Sequence, residues 1–400
     1  MANKKFSEFT LKTDPANVDF LVGYDGTDNV RIDPSNLGGG GASDLNGLTD
    51  CLVTAQNSQF IGNVPANVTS GAYNNTSLGH NALELITGGD NNIGIGWNAG
   101  SAITDGAGNV IVGRSALSGG NLSETVAIGH LAALNATGSN SIHVGSDAGR
   151  ANSAAGHISI GYQAGYSNTS GVQNTNIGYQ AGYSNTTSGY NTNMGYEAGK
   201  NNTGQKNTFI GSNVAGTGSG SFNVSVGVGS SLSLSSGTKN TSLGRSAGDL
   251  ITTGQNNSCL GYQANPAAAD SANSVTLGNS SVATLRCAVT SITSLSDERD
   301  KSEIKDLDYG LAFIDALQPR EFVWDNRPET DKDGEEFYSA NKGKKDFGFI
   351  AQEVRELDND TLRLVYSENE EKLELSYGKL VPILVKAIQE LKEEVELLKS

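Results

Sequence analysis

The chain has 400 residues, 51 of them glycine and 3 cysteine, with a formal net charge of −16; that length ordinarily makes two or three domains. The acidic balance and a nearly uncharged centre supply no basic stripe for phosphates, so nucleic-acid binding is excluded. Cys51, Cys259 and Cys287 are too few and too scattered for a disulfide framework or a zinc site, no metal or cofactor is expected, and no run approaches the ~20 apolar residues of a membrane-spanning helix.

Residues 1–45 form a separate segment. The opening MANKKF is basic but no apolar run follows it, so no secretory signal is expected and synthesis in a cytoplasm is. Residues 18–26 and 29–37 read as two short strands about Asp25 and Gly26, a turn pair, and Gly38 to Gly41 make a break. Residues 46–62 lead into a repeat.

Glycines then fall at 62, 79, 96, 113, 129, 145, 161, 178, 195, 211, 227, 244, 261 and 278, in steps of 16 or 17. An aliphatic residue or methionine precedes each one (Ile95, Val112, Ile160, Met194). A β-branched residue often stands three before it (Ile93, Val110, Thr192), asparagine often four before it (Asn92, Asn174, Asn240), and alanine usually three after it (Ala99, Ala164, Ala247). A fixed period over more than half the chain is the mark of a repeat architecture. The alternation predicts a half-buried strand, and asparagine suits the turn before it. Each repeat reads as strand, glycine turn, short strand and polar loop. The fold class is therefore mainly β, a parallel β-solenoid or β-roll over residues 46–291. With alanine and one aliphatic residue inside, a coil buries two or three small side chains worth ~1.5–3 kcal/mol each. Ordering its backbone costs ~1–2 kcal/mol per residue. Chains packed side by side are the expected remedy. At the ~4.8 Å strand spacing the array is a rod roughly 65 Å long.

Other features of the rod carry little chemistry. Its carboxylates occur singly, not as the pair of a glycosidase. The stretch 94–100 is one more repeat rather than a dinucleotide loop, because no βαβ unit surrounds it. Trp97 and the tyrosines at 162, 166, 179, 183, 190 and 196 read as ladders that stiffen the coils, with a partner or sugar surface as the other reading. Cys259 occupies an ordinary repeat position. Residues 282–292 are apolar and β-branched and predict a strand that ends the solenoid.

Beyond residue 291 glycine thins and charge rises. Residues 308–319 predict a helix stopped by Pro319, and residues 320–325 a strand. Residues 326–346 predict a loop, residues 346–357 a strand running into a helix, and residues 362–377 a hairpin. Val381, Leu384, Ile388, Leu391, Val395 and Leu398 mark a coiled-coil seam. Its β-branched and leucine alternation taken alone favours two strands. The one place for covalent chemistry is the stretch 294–307. Ser296 and Lys301 lie five apart, and all four histidines lie in the rod. A serine needs a base to become a nucleophile, and lysine serves where burial or a neighbouring cation favours its neutral form. Asp297 and Arg299 read as an ion pair that supports the turn.

The repeat text at 174–182, 191–199 and 240–248 resembles the head repeats of trimeric bacterial adhesins and arrays in the fibre proteins of tailed bacteriophages, though its period exceeds that of the shortest adhesin repeats. The resemblance implies a homotrimer. Residues 1–45 resemble the amino-terminal segment of phage fibres, which implies docking to other virion proteins; a leader or cap for the rod is the alternative. Residues 292–400 resemble the intramolecular chaperone of phage tailspikes and fibres, the S74 peptidase family, through Ser296, Asp297, Arg299 and Lys301 together with the 346–354 stretch and the terminal seam. That resemblance implies self-cleavage between Leu295 and Ser296 by a serine–lysine dyad, with no cofactor. The expected protein is a virion fibre that binds a host-cell surface receptor, glycan included, and whose carboxy-terminal domain sets trimer register and is then released. A fibre with a permanent trimeric tip and a glycan-degrading tailspike are the alternatives.

Overall fold

The computed structural model describes residues 21–24, 29–32 and 51–400 apart from 55, 63–64, 289–291, 293, 331–333, 335 and 359–360. The Asp25–Gly26 turn and the run from Gly38 to Gly41 lie outside the described residues. The chain forms two compact units, Met1–Gly189 and Tyr190–Ser400.

In the first unit β1 (Leu21–Tyr24) pairs antiparallel with β2 (Asn29–Ile32). Strand β3 (Cys51–Val53) pairs antiparallel with β4 (Gln59–Ile61), which starts the repeat. From there the strands add in parallel, one per coil: β5 (Thr76–Leu78), β6 (Ile93–Ile95), β7 (Val110–Val112), β8 (Val126–Ile128), β9 (Ile142–Val144), β10 (Ile158–Ile160) and β11 (Thr175–Ile177). Registers match repeat to repeat, as in Ile93↔Val110 and Ile95↔Val112. The second unit continues the pattern with β12 (Thr192–Met194), β13 (Thr208–Ile210), β14 (Val224–Val226), β15 (Thr241–Leu243), β16 (Ser258–Leu260) and β17 (Val275–Leu277). The expected class, a mainly β parallel solenoid, is the observed one.

Two details of the repeat differ from expectation. The residue after the glycine turn does not open a second strand. The position two beyond the glycine is left-handed instead, at φ 55° for Asn98, 56° for Asp147 and 53° for Gln163, and a strand cannot run through that conformation. The faces are also inverted. In β4 to β16 only the middle residue is buried, and the residues on either side of it lie outward, so that Ile93, Ile95, Ile128 and Ile160 are exposed. A three-residue strand gives one side chain to one face and two to the other. The narrow coil interior takes the single one, Ser77, Ala127 or Ser159, with a larger Phe60, Ile111 or Phe209 where there is room.

The interior has three further columns. The alanines three after each glycine are buried, as Ala82, Ala99 and Ala164 are. Seven after the glycine stand Ile86, Ile103 and Ala136, then Asn152, Asn168 and Asn185; in the second unit stand Asn202, Leu234 and Ile251, all buried. The asparagines four before the glycine are buried as well, and in two runs, 75 to 109 and 191 to 257, each bonds the next. Asn92 Nδ2 donates to Asn75 Oδ1 at 3.0 Å and to the Gly106 carbonyl at 2.8 Å, while Asn92 Oδ1 accepts from the Asn109 backbone at 3.1 Å and from Asn109 Nδ2 at 2.8 Å. A ladder of amides thus pairs loop backbone groups that burial would otherwise strand. The glycine itself is required twice over. At Gly145 φ is +132°, and a Cβ there would stand 2.5 Å from the Gly161 carbonyl oxygen of the next coil.

Two of the aromatic pairs are stacked, Tyr162 on Tyr179 with ring centres 5.3 Å apart and Tyr166 on Tyr183 at 5.0 Å, while Trp97 lies under the Arg114 guanidinium. Cys259 occupies an ordinary strand position of the repeat, and that position is the inward one. Residues 282–287 form no strand, against expectation. Their chain turns at Asn279, whose carbonyl accepts from the Val282 backbone, and then leaves the sheet edge.

The remainder of the second unit is α+β. Helix α1 (Leu311–Ala316), β18 (Arg320–Val323), β21 (Lys345–Gly348), α2 (Ala351–Asp358) and the hairpin of β22 (Val365–Tyr366) and β23 (Glu374–Leu375) stand where predicted. The expected loop instead carries a short ladder of β19 (Glu329–Thr330) and β20 (Glu336–Phe337). Helix α3 (Leu380–Lys399) closes the chain. Leu380 and Ile383 of α3 pack with Leu317, Val354, Leu364 and Val365 in one core, and Ala387 is buried too. The predicted seam residues Val381, Leu384, Ile388, Leu391 and Val395 lie on the exposed remainder of the helix.

Candidate functional site

The candidate site lies between the last coil and α1. Leu295 is fully exposed, and Ser296 follows it in extended chain. Asp297 then caps a single 3-10 turn, Glu298–Asp300, by accepting the Arg299 backbone N–H at 2.9 Å. The Arg299 guanidinium folds back onto the same carboxylate, with Nε 3.0 Å from Oδ1 and one terminal nitrogen 2.7 Å from Oδ2. This ion pair lowers the Asp297 pKa from the ordinary carboxylate value, chiefly through the Arg299 side chain. The turn closes when the Lys301 backbone donates to Glu298, and it reverses the chain. The Lys301 amine thereby reaches back across five residues to Ser296, 2.7 Å from Oγ and 3.1 Å from the carbonyl oxygen.

Ser296 and Lys301 are in hydrogen-bond contact, and Asp297 and Arg299 hold the turn that brings them together. Lys301 Nζ donates to Ser296 Oγ here, and the same contact with a neutral amine as acceptor is what a serine nucleophile needs of its base. The hydroxyl of Ser294 also lies 3.5 Å from the Leu295 carbonyl oxygen, a long contact. Residues 296–363 match the family model Peptidase S74, chaperone of endosialidase. The match begins at Ser296. A parallel β-solenoid that carries an S74 segment fits a protein of the phage tail-fibre or tailspike kind. No curated protein and no solved structure matches the chain.

Sequence reasoning passed over the anchor of this segment. Glu390 of α3 accepts the Leu311 backbone N–H at 2.7 Å and so caps the start of α1. That bond, with the neighbouring Lys386, draws the Glu390 pKa down. The two residues are 79 apart in the chain, and nothing local marks Glu390 among the glutamates of an amphipathic helix. Tyr377 similarly accepts from the Phe349 backbone at 3.2 Å, tying the strand–helix junction to the approach to α3.

Proposed function

We propose that this chain is a structural subunit of a phage fibre, a virion appendage for host attachment, whose S74 segment aligns three chains and then cuts itself off between Leu295 and Ser296. The observation that carries the cleavage is the 2.7 Å contact between Lys301 Nζ and Ser296 Oγ at the first residue of the family match. Lys301 takes the hydroxyl proton as Oγ attacks the Leu295 carbonyl carbon. The C–N bond to Ser296 breaks, Lys301 returns the proton to the leaving amine, and an ester joins Leu295 to Oγ. Water then hydrolyses the ester, leaving a carboxylate on Leu295 and a free amine and hydroxyl on Ser296. Both dyad residues are exposed in the single chain. Burial favours the neutral form of a lysine, which is the form that can take a proton, so cleavage would follow assembly rather than precede it.

The multi-chain reading is supported by the exposed aliphatic columns. Ile93, Ile95, Ile128 and Ile160 in the first unit, and Met194, Ile210, Leu243 and Leu260 in the second, place an apolar side chain on the outer sheet face coil after coil. A partner that covers them along their whole length needs the same period, and a second copy has it. Identical coils can also pair one step out of register, which is the error a terminal aligning segment prevents by raising effective concentration. Release of that segment removes the reverse path and leaves a kinetically stable fibre. By resemblance, residues 1–45 dock to other virion proteins and the array meets the host-cell surface. Wild type, Ser296→Ala and Lys301→Ala chains compared by intact mass test the proposal. Wild type is expected as fragments of residues 1–295 and 296–400, and both variants as full-length chains. An uncut wild type would leave the fibre with a permanent tip and end the cleavage reading.

A further inference from the structure

The last coil leaves a sheet edge open. In coil after coil the N–H three before the glycine donates to the coil that follows, as Ile93 does to Asn109 and Ser258 to Ser274, each at 2.8 Å. The carbonyl just before the glycine accepts from the following coil, as Leu260 does from Gly278 at 2.7 Å. Val275 and Leu277 hold these two positions in β17, the terminal strand of the sheet order, and no coil follows them. Their side chains are also more exposed than those of most earlier coils, 73% at Val275 against 39% at Ile93. The edge borders a groove of about 1050 Å³, lined by Val275, Leu277, Pro328, Tyr366, Glu368 and Glu374 among others. An unpaired edge beside open space is a template for another strand.

The same chain carries a strand without a sheet. Residues 282–288 alternate β-branched, aliphatic and small side chains, yet 282–287 form no strand, and Val282 and Leu285 are 51% and 70% exposed. Their one charged residue is Arg286, and the groove is lined by Asp249, Glu329, Glu368, Glu371 and Glu374 against Arg327 and Lys372. We infer that residues 282–288 of a second copy add as a strand to the free edge of β17 and fill this groove, so that each chain closes the solenoid of its neighbour. In a bundle of parallel copies the two elements stand at the same level. Both lie before Ser296, so the closure stays with the fibre after the S74 segment departs. The inference rests on the multi-chain part of the proposed function and not on cleavage.

Disulfide trapping tests it in the full chain carrying Ser296→Ala and Cys287→Ser. Val275→Cys is combined in turn with Ala283→Cys and with Leu285→Cys, to sample neighbouring registers on one face, and oligomeric state is measured by light scattering first. The expected result is that at least one pair converts most of the chain to a covalent multimer on a non-reducing gel, reversed by reductant, while neither single cysteine does. A disulfide closed within one chain, seen as a monomer-sized band two hydrogens lighter by mass, overturns the exchange in favour of a local hairpin. An intact oligomer with no cross-link in either register overturns it as well and leaves the multi-chain reading standing. A monomer before oxidation ends both.

Discussion

His143 fills the inward position of β9 and is fully buried. Its Nδ1 has no hydrogen-bond partner and its Nε2 lies 3.5 Å from the Asn152 amide. Burial, with the nearby His157, pushes its pKa from 6.5 down to about 3. His157, buried at an asparagine position of the ladder, is also lowered by burial, against the opposing pull of backbone groups at Gly171 and Asn174. The unfolded chain takes up a proton below pH 6.5 and the folded chain does not until about pH 3, so stability falls as pH drops through that window and is complete above it. From pH 7 to pH 5 His143 alone accounts for a loss of about 2 kcal/mol. The same column holds Ser159 and Asn176, so His143→Asn should fold. Urea midpoints at the two pH values measure the effect; an equal acid loss in wild type and variant would remove histidine from the explanation. None of this was legible from residue types. The four histidines were set aside as too far from Ser296 to act as its base, and nothing local told which of them a coil would bury.

At the scale of the repeat, the element that holds coil to coil is the asparagine ladder. Removing one rung with Asn92→Ala deprives the Gly106 carbonyl and the Asn109 backbone N–H of partners inside the solenoid. A buried polar group left alone costs about 1–3 kcal/mol, so a loss of about 3 kcal/mol is expected. Hydrogen exchange should quicken first at the flanking coils, in β5 to β7, and a uniform change along the chain would argue against a local rung. Position in the repeat was readable from spacing, and so was a backbone-bonding role. That the amides bond one another across coils was not, because a turn asparagine and a ladder asparagine look alike until the next coil is in place. The turn at Ser296 is the opposite case. Five residues and a capped turn are local, so the contacts of Ser296 with Lys301 and of Asp297 with Arg299 arise within one short stretch.

For the molecule as a whole, the apolar surface left outside is the main fact. In α3 the buried Leu380, Ile383 and Ala387 face the core, while Ile388 and Leu391 are 66% and 48% exposed. If that outer face joins chains, Ile388→Lys with Leu391→Lys should lower the oligomeric mass by light scattering and leave helix content unchanged. Ile383→Lys should instead unfold the segment, since it places a charge inside the core. Unaltered mass in the double variant would take the seam out of the assembly.

The period, the strand in each coil, the turn glycines and the reach of Lys301 to Ser296 all follow from residues near one another in the chain, where backbone geometry and spacing leave few options. Which face of a three-residue strand turns inward does not, because alternation is symmetric until a volume is enclosed. The aliphatic column looked like a core and lies outside. The strand expected at 282–292 looked complete, and its described residues 282–287 form none. Both outcomes depend on which surfaces the coil closes around and which it leaves exposed, and that is a property of packed space rather than of sequence order.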